Sequence, residues 1–227
     1  MTTTLQAKGP SDTSTAPAGW TMADLLKKLG GISPRRILLL PPPGTATEKD
    51  LLRAESKYGR LCELVEGTLV EKGMGFHESL LAAFFIAVLQ PFVRKYRLGV
   101  VTSPDLFLRL FPCTVRAPDV AFVSWSRLPG RKIPKAPIPS VSPDLAIEVL
   151  SKSNTKKEME RKRREYFGAG TRLVWEVDPR KRIIVVHDPS DDPVTLKESD
   201  VLDGGVVLPG FKLALRDVFA ELDVEGP

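Results

Sequence analysis

The hydrophobic pattern of this chain changes its period at Gly99, and that change most constrains the fold. Before it, apolar side chains recur at helical spacing, as Leu80, Leu81, Phe84, Phe85, Val88, Leu89 and Phe92. After it the period is two, which predicts strands at 100–101, 106–111, 115–125, 144–150, 173–177 and 183–187, with a helix at 155–169. This order predicts an α/β (α+β) protein with a mixed central sheet flanked by helices.

The first 46 residues differ in composition from the rest. Residues 1–19 are rich in Thr, Ser, Ala, Gly and Pro and predict a disordered tail, followed by a short helix at 22–29 and a stiff Pro-rich linker at 41–44. Thr47 then opens a helix, and residues 61–71 predict a hairpin that turns at Glu66-Gly67. We therefore expect one folded domain over residues 47–227.

Composition limits the classes of protein to be considered. The chain has 227 residues, 42% hydrophobic and 27% charged, which is typical of one sizeable globular domain. No apolar run approaches the roughly eighteen residues of a membrane span, and the N-terminus has no apolar secretory core, so we expect a soluble cytoplasmic protein without a membrane partner.

Cys62 and Cys113 lie in apolar stretches and predict reduced core thiols. The two histidines, His77 and His187, are too few for a His-rich zinc site, so oxygen ligands would dominate any metal site.

Positive charge is concentrated between residues 152 and 172. That segment holds eight basic residues and three acidic ones, an excess equal to the net charge of +5 of the whole chain. Such a segment fits a polyanionic partner, and it equally fits the solvated face of a helix.

Two of the predicted strands each carry one carboxylate beside alanine. Alternation puts Asp119 on the same face as Ala117 and Ala121, and Glu148 on the same face as Ala146. If the strands are adjacent, two carboxylates about 4 Å apart repel by roughly 4 kcal/mol at an effective dielectric of about 20. A proton or a cation relieves that cost, and oxygen ligands favour Mg²⁺, Mn²⁺ or Ca²⁺. The alternative, two acids on a solvated face that never meet, fits the spacing equally well.

The helix at 155–169 carries a lysine on an apolar stripe. Met159, Lys162 and Tyr166 share one side of it. Burial of an ammonium group without a partner is costly, so the carboxylates of the neighbouring strand are candidate partners for Lys162. The alternative is that the lysine stem covers apolar surface while its head reaches water.

Several separate motifs, in the same order, resemble the Uma-two family of proposed restriction endonucleases, which is abundant in certain bacteria. The resemblance covers about residues 61–219. The segments that carry it are CELVEG at 62–67, RAPDVAF at 116–122, PDLAIEVLS at 143–151, KRREY at 162–166, LVWEVDP at 173–179 and LPGF at 208–211.

The resemblance implies a PD-(D/E)XK endonuclease-like domain at residues 47–227 and a role for individual residues. Asp119 and Glu148 match the motif acids that bind Mg²⁺ or Mn²⁺. Leu150 stands where the usual motif lysine would be, and Lys162 matches the helix position that takes over its function. Glu63 matches an upstream acid that either completes the catalytic site or belongs to the hairpin only. His77 matches a family position at the start of the long helix, which we interpret first as a helix-start residue and second as a residue of the site.

The implied activity is metal-dependent hydrolysis of phosphodiester bonds in DNA, with duplex DNA as the expected substrate. The metal would polarise the scissile phosphate, and Lys162 would position the attacking water and neutralise developing charge. Contacts to the nucleic-acid backbone are expected from Lys156, Lys157, Arg161, Arg164, Arg131 and Lys132. Two alternatives remain, a catalytically silent nucleic-acid- or partner-binding module on the same fold and a structural protein with solvated carboxylates. The sequence leaves the oligomeric state open, a homodimer included.

Overall fold

The computed structural model describes residues 19–73, 75–190 and 192–226. The tail predicted for residues 1–19 lies outside the described residues, apart from Gly19. The helices are α1 (Met22–Lys28), α2 (Glu48–Tyr58), α3 (Phe76–Lys95), α4 (Lys156–Gly168) and α5 (Leu215–Ala220). The strands are β1 (Cys62–Val65), β2 (Thr68–Glu71), β3 (Gly99–Thr102), β4 (Leu108–Phe111), β5 (Thr114–Arg116), β6 (Val120–Ser124), β7 (Leu145–Val149), β8 (Leu173–Asp178), β9 (Ile183–His187), β10 (Val194–Lys197), β11 (Val201–Asp203) and β12 (Lys212–Ala214).

The strands form a mixed six-stranded sheet and two antiparallel ones. The large sheet has the order β10-β9-β8-β7-β6-β3, and its parallel pair, β7 and β8, is connected through α4. The second sheet has the order β2-β1-β5-β4, and β11 pairs with β12. The prediction of a mixed sheet flanked by helices is confirmed.

The two faces of the large sheet have different chemistry. On β7, Leu145, Ile147 and Val149 join the main hydrophobic core with residues of α3 and α5. The alternate residues Ala146 and Glu148 face α4, because successive side chains of a strand point to opposite sides. One face therefore supplies the apolar core, and the other can hold polar groups under a helix.

Helix α3 qualifies as a membrane span by length and composition alone, although the sequence pattern had suggested no candidate. Its fully or nearly fully buried residues all belong to the core on the large sheet; they are Leu81, Ala82, Phe85, Leu89 and Val93. This packing is that of a core helix.

The single strand predicted at 115–125 is wrong. It is divided into β5 and β6, which belong to different sheets. Pro118 lies between them, and a proline cannot donate a ladder hydrogen bond, so the chain leaves one sheet there and enters the other. The link Ala117-Pro118-Asp119 therefore joins the two sheets.

Only one of the two cysteines is a core thiol. Cys62 is buried, and burial raises the pKa of its thiol to about 12. Cys113 is exposed in the turn between β4 and β5, with a φ of 58°, which corrects the prediction of two core thiols. The strand pattern around Cys113 continues on both sides of the turn, which is why periodicity did not reveal the break.

The segment predicted as a linker packs against the β1–β2 hairpin. Gly44 N–H donates to Thr68 Oγ1 (3.1 Å), and Ala46 N–H donates to the Gly67 carbonyl (2.8 Å). Upstream of it, apolar residues of α1 and the following turn form a small core with Val65 and Val70. Residues 21–46 thus contribute buried surface to the same body as the sheets.

Asp144, at the start of β7, ties the large sheet to two surface arginines. Its buried carboxylate accepts bonds from Ser124 N–H (2.7 Å), Arg127 (3.1 Å) and Arg172 (2.9 Å). Burial by itself raises the pKa of Asp144, but the hydrogen bonds from Ser124 and Arg127 outweigh burial and lower it. Because its pKa is lower in the folded state, Asp144 stabilises the fold at neutral pH, and this contribution is lost as the pH falls through the folded-state pKa.

We expect Asp144→Asn to reduce the free energy of unfolding at pH 7 by about 1–3 kcal/mol, because charge-assisted hydrogen bonds to a buried group are lost. Urea unfolding of both proteins at several pH values measures the difference. It should shrink progressively below about pH 4, where the wild-type carboxylate also becomes protonated. A difference that does not depend on pH would contradict this account.

Candidate active site

A cluster of buried charges lies where the chain crosses between the two sheets. The four-stranded sheet and its connections contribute Glu63, Lys72 and Arg116. The link to the large sheet contributes Asp119, β7 contributes Glu148, and α4 contributes Lys162. Three carboxylates thus meet three cationic groups, and none of these six side chains is more than 6% exposed.

Asp119 and Glu148 lie next to each other. In the pairing of β6 with β7, Val120 is opposite Ile147, so continuing the register by one residue places Asp119 opposite Glu148. Strand β7 fixes Asp119 twice, because Asp119 N–H donates to the Ile147 carbonyl (3.0 Å) and Val149 N–H donates to Asp119 Oδ2 (2.7 Å). The structure therefore brings the two predicted acids together at a buried position.

Lys162 points at the carboxylates and not along the surface. Its Nζ lies 2.9 Å from Glu148 Oε2 and 3.2 Å from Glu63 Oε1. The hydroxyl of Tyr166, one turn further along α4, donates to Glu148 Oε1 (2.7 Å). Thr155 caps the start of the helix by accepting from Glu158 N–H, which sets where the stripe of α4 faces the sheet.

Glu63 is fully buried on β1 and belongs to the same cluster. It accepts hydrogen bonds from Arg116 Nη1 (2.8 Å) and Ala117 N–H (3.2 Å), in addition to its contact with Lys162. Arg116 also donates to Glu165 of α4 (2.6 Å). Glu63 thereby connects the hairpin to the helix through Lys162.

Lys72 is a member of the cluster that sequence reasoning missed. It follows β2, and its Nζ lies 2.8 Å from Asp119 Oδ1 and also donates to the Ala117 carbonyl. The available signal was strand alternation, because Lys72 is two residues after Val70, which pairs with Glu63. Tyr166 lay on the predicted stripe, but its bond to Glu148 was also not foreseen.

The pKa shifts follow from burial and from neighbouring charges. Burial disfavours ionised Glu63, but Lys162, Arg116 and Lys72 outweigh it and hold the pKa of Glu63 well below its usual range. Burial raises the pKa of Glu148, and repulsion from Asp119 and Glu63 adds to it against the attraction of Lys162 and Lys72. The pKa of Lys162 is raised, since Glu148 and Glu63 outweigh its desolvation.

The carboxylate oxygens of Asp119 and Glu148 fit a divalent cation that takes two carboxylate ligands. Each oxygen of Asp119 and Glu148 has one hydrogen-bond donor, and an ionised carboxylate offers about four acceptor positions. Mg²⁺ commonly binds one or two carboxylates and takes its other ligands from water and substrate phosphate. Over the described ranges, no group of three or more His, Cys, Asp or Glu side chains is arranged to hold a metal.

The residues predicted to contact nucleic acid fall into two sets. Five are exposed and form no salt bridge with any described residue; they are Lys156, Lys157, Arg164, Arg131 and Lys132. Arg161 differs, since it is 9% exposed and its guanidinium donates to Glu165 (2.8 Å), the Lys28 carbonyl (2.8 Å) and Glu66 (2.6 Å). Its position in α4 turns it towards α1 and the hairpin.

Comparison with known proteins agrees with this fold. The family model Uma2, described as "Putative restriction endonuclease", matches residues 49–216, well over half of the chain. The chain therefore belongs to the Uma2 family. A crystal structure described as "a putative nuclease belonging to DUF820 from Anabaena variabilis" superposes with a TM-score of 0.64 at 22% identity, covering 71% of this chain and 90% of that one. No curated protein matches the sequence.

We expect Lys162→Met to reduce the free energy of unfolding by roughly 3–5 kcal/mol, because it leaves Glu148 and Glu63 buried without their shared cation. The matched control is Lys156→Met, an exposed position on the same helix, where a change within about 0.5 kcal/mol is expected. The cost of Lys162→Met should be larger at pH 8 than at pH 5, since the unpaired carboxylates take up protons more readily at lower pH. Urea unfolding of the wild type and both variants at pH 5 and pH 8 measures these changes in stability. Equal stability of the two variants would refute the pairing of Lys162 with Glu148 and Glu63.

Proposed function

We propose that this protein is a metal-dependent DNA endonuclease that hydrolyses phosphodiester bonds. The observation that carries the proposal is the pair Asp119 and Glu148 on neighbouring strands, with Lys162 on Glu148. Membership of the Uma2 family and the nuclease-like fold support the same class of reaction. Charged groups are seldom buried together at such a density unless they are paired or functional.

In this proposal Asp119 and Glu148 hold Mg²⁺ or Mn²⁺. The ion, when bound, supplies Lewis acidity at the scissile phosphate. Tyr166 and Lys162 each hold one oxygen of Glu148, so its carboxylate is oriented before substrate arrives. Val149 N–H and Lys72 do the same for Asp119.

Lys162 takes the role that a lysine two residues after the motif glutamate would have. Leu150 occupies that position and offers no charge. In the absence of a metal ion, Lys72 and Lys162 balance the negative charge of Asp119 and Glu148. Asp119 and Glu148 would hold the cation, whose positive charge would then balance theirs, and the ammonium groups of Lys72 and Lys162 would be able to donate to the phosphate and to the attacking water.

The proposed substrate is DNA in the cytoplasm, gripped by the exposed basic residues. Lys156, Lys157 and Arg164 extend from α4, and Arg131 and Lys132 from the loop after β6. Their exposed ammonium and guanidinium groups match the chemistry of phosphate contacts.

A second candidate function is a catalytically silent nucleic-acid- or partner-binding module. One observation favours it: every carboxylate oxygen of Asp119 and Glu148 already has a donor within the described protein, so the cluster is balanced without a metal ion. Such a network would stabilise the junction of the sheets by itself.

Cleavage assays separate these two functions. We expect wild-type protein to nick plasmid DNA with Mg²⁺ or Mn²⁺ and to lose this activity with a chelator. Glu148→Gln, which keeps the side-chain volume and an acceptor for Tyr166, should reduce the rate by about a hundredfold or more because one metal ligand loses its charge. Glu160→Gln on α4 is the control and should nick at the wild-type rate.

Equal nicking by Glu148→Gln and wild type would point to a contaminating nuclease or to a different site. Absence of nicking on plasmid, linear duplex and single-stranded DNA would favour the binding module.

Binding measurements test the role of the basic helix. Lys157→Glu combined with Arg164→Glu should weaken DNA binding and reduce the dependence of log affinity on log salt, since each lost phosphate contact removes about 0.9 from the slope. Arg53→Glu combined with Lys57→Glu, the same charge change on exposed positions of α2, should have much less effect. Identical slopes for the two double variants would exclude α4 as the contact surface.

A further inference from the structure

A cleft with a volume of about 430 Å³ lies between the end of the hairpin, the start of α3 and the loop after β7. Gly73 follows Lys72, and Ser151 lies three residues after Glu148. The chain segments next to these two charged residues therefore both line the cleft. The residues around the cleft that matter here are Gly73, Phe76, His77, Ser151 and Lys152.

One wall of the cleft is tightly built. A Cβ added at Gly73 would lie 2.3 Å from Ser153 Oγ and 3.3 Å from Ser151 Oγ, so the end of the hairpin touches the loop after β7. Arg36 reinforces this contact, because it donates to the Glu71 carbonyl (2.8 Å) and the Ser153 carbonyl (3.2 Å). Arg36 therefore fixes the wall of the cleft that is formed by the hairpin and the loop after β7.

The other side of the cleft carries an exposed aromatic ring. Phe76 is 82% exposed at the first position of α3, and it forms no aromatic pair with any described residue. The exposed ring offers a flat apolar face on which a planar group can stack. Lys152 and His77 are exposed at the same cleft, so the ring lies beside polar groups that can donate to a phosphate.

Positive charge continues beyond the loop that follows β7. A second cavity of about 440 Å³ shares Ser151 with the first and is bordered by Lys156, Arg180 and Lys181. Two acidic residues line this cavity, and both have partners. Glu176 pairs with Arg163 (2.5 Å), and Asp178 accepts hydrogen bonds from the backbone N–H groups of Arg180 and Lys181 (3.0 and 3.2 Å). A polyanionic strand can thus follow basic groups from one cavity to the other.

We propose that Phe76 stacks on an unpaired base in this cleft, with Lys152 at the adjoining phosphate, so that the partner is single-stranded nucleic acid or the unpaired end of a duplex. The inference rests on the proposed nuclease function. In an intact duplex the faces of the bases are covered by their neighbours, and an aromatic side chain at a protein surface can stack only on a base that is free. An exposed ring next to a cation is the combination by which proteins bind single strands without reading their sequence.

The test is fluorescence anisotropy with labelled oligonucleotides of one sequence: single-stranded DNA, single-stranded RNA, blunt duplex DNA and duplex DNA with an unpaired tail. The full-length protein is measured with EDTA and separately with Ca²⁺. We expect Phe76→Ala to weaken binding of the single strands and the tailed duplex roughly fivefold to a hundredfold, and to leave the weaker blunt-duplex binding unchanged. Phe76→Trp should retain affinity, because it keeps a stacking surface.

Tyr96→Ala is the matched control, since Tyr96 is 52% exposed just after the other end of α3, about 30 Å away along the helix axis. It should bind every oligonucleotide as the wild type does. Tighter binding of the blunt duplex by wild type, or equal affinities of Phe76→Ala and wild type for the single strands, would overturn the stacking role. If plasmid nicking persists in either case, the nuclease function stands. Absence of both nicking and binding by wild type would overturn both proposals, whereas binding of RNA alone would keep the stacking role and overturn the choice of DNA.

Discussion

The ion pair between Lys162 and Glu148 is the interaction on which the arrangement of this protein depends. A single buried carboxylate beside apolar strands would be costly, and three of them would be prohibitive without compensation. Lys162 contacts both Glu148 of the large sheet and Glu63 of the hairpin, so one ammonium group joins two sheets and a helix. Lys72 and Arg116 complete the balance of three negative and three positive charges.

The same network sets what the site can do. Buried ion pairs often contribute little net stability compared with apolar packing, so a cluster of three buried acids and three buried cations at the junction of two sheets is a candidate functional site. Ionisation of Glu148 is unfavourable, because burial and the neighbouring acids Asp119 and Glu63 raise the pKa of its carboxyl group. A bound cation would relieve that cost.

Residues outside the central strands hold together the elements that surround this network. Arg36 comes from upstream of the residues that match the family, and it holds Glu158 (2.7 Å) together with the backbone beside Lys72. It therefore connects α4, the hairpin and the loop after β7 on the side of the cleft. Arg161 is engaged by α1 and Glu66, whereas Lys156, Lys157 and Arg164 of the same helix are exposed. The N-terminal segment thus determines which faces of α4 remain free.

Local pattern in the sequence determined most of the elements and singled out Asp119, Glu148 and Lys162. The period of 3.6 placed Met159, Lys162 and Tyr166 on one stripe, and the period of two placed Ala146 and Glu148 on one face, because both periods are properties of the backbone itself. Tertiary structure alone decided which charges meet. Lys72 contacts Asp119, Glu63 contacts Lys162, and Arg116 contacts Glu63, each across a long sequence separation, and local periodicity carries no information about such separations. It also decided that Pro118 divides one apparent strand between two sheets, since which sheet a strand joins depends on its distant partners.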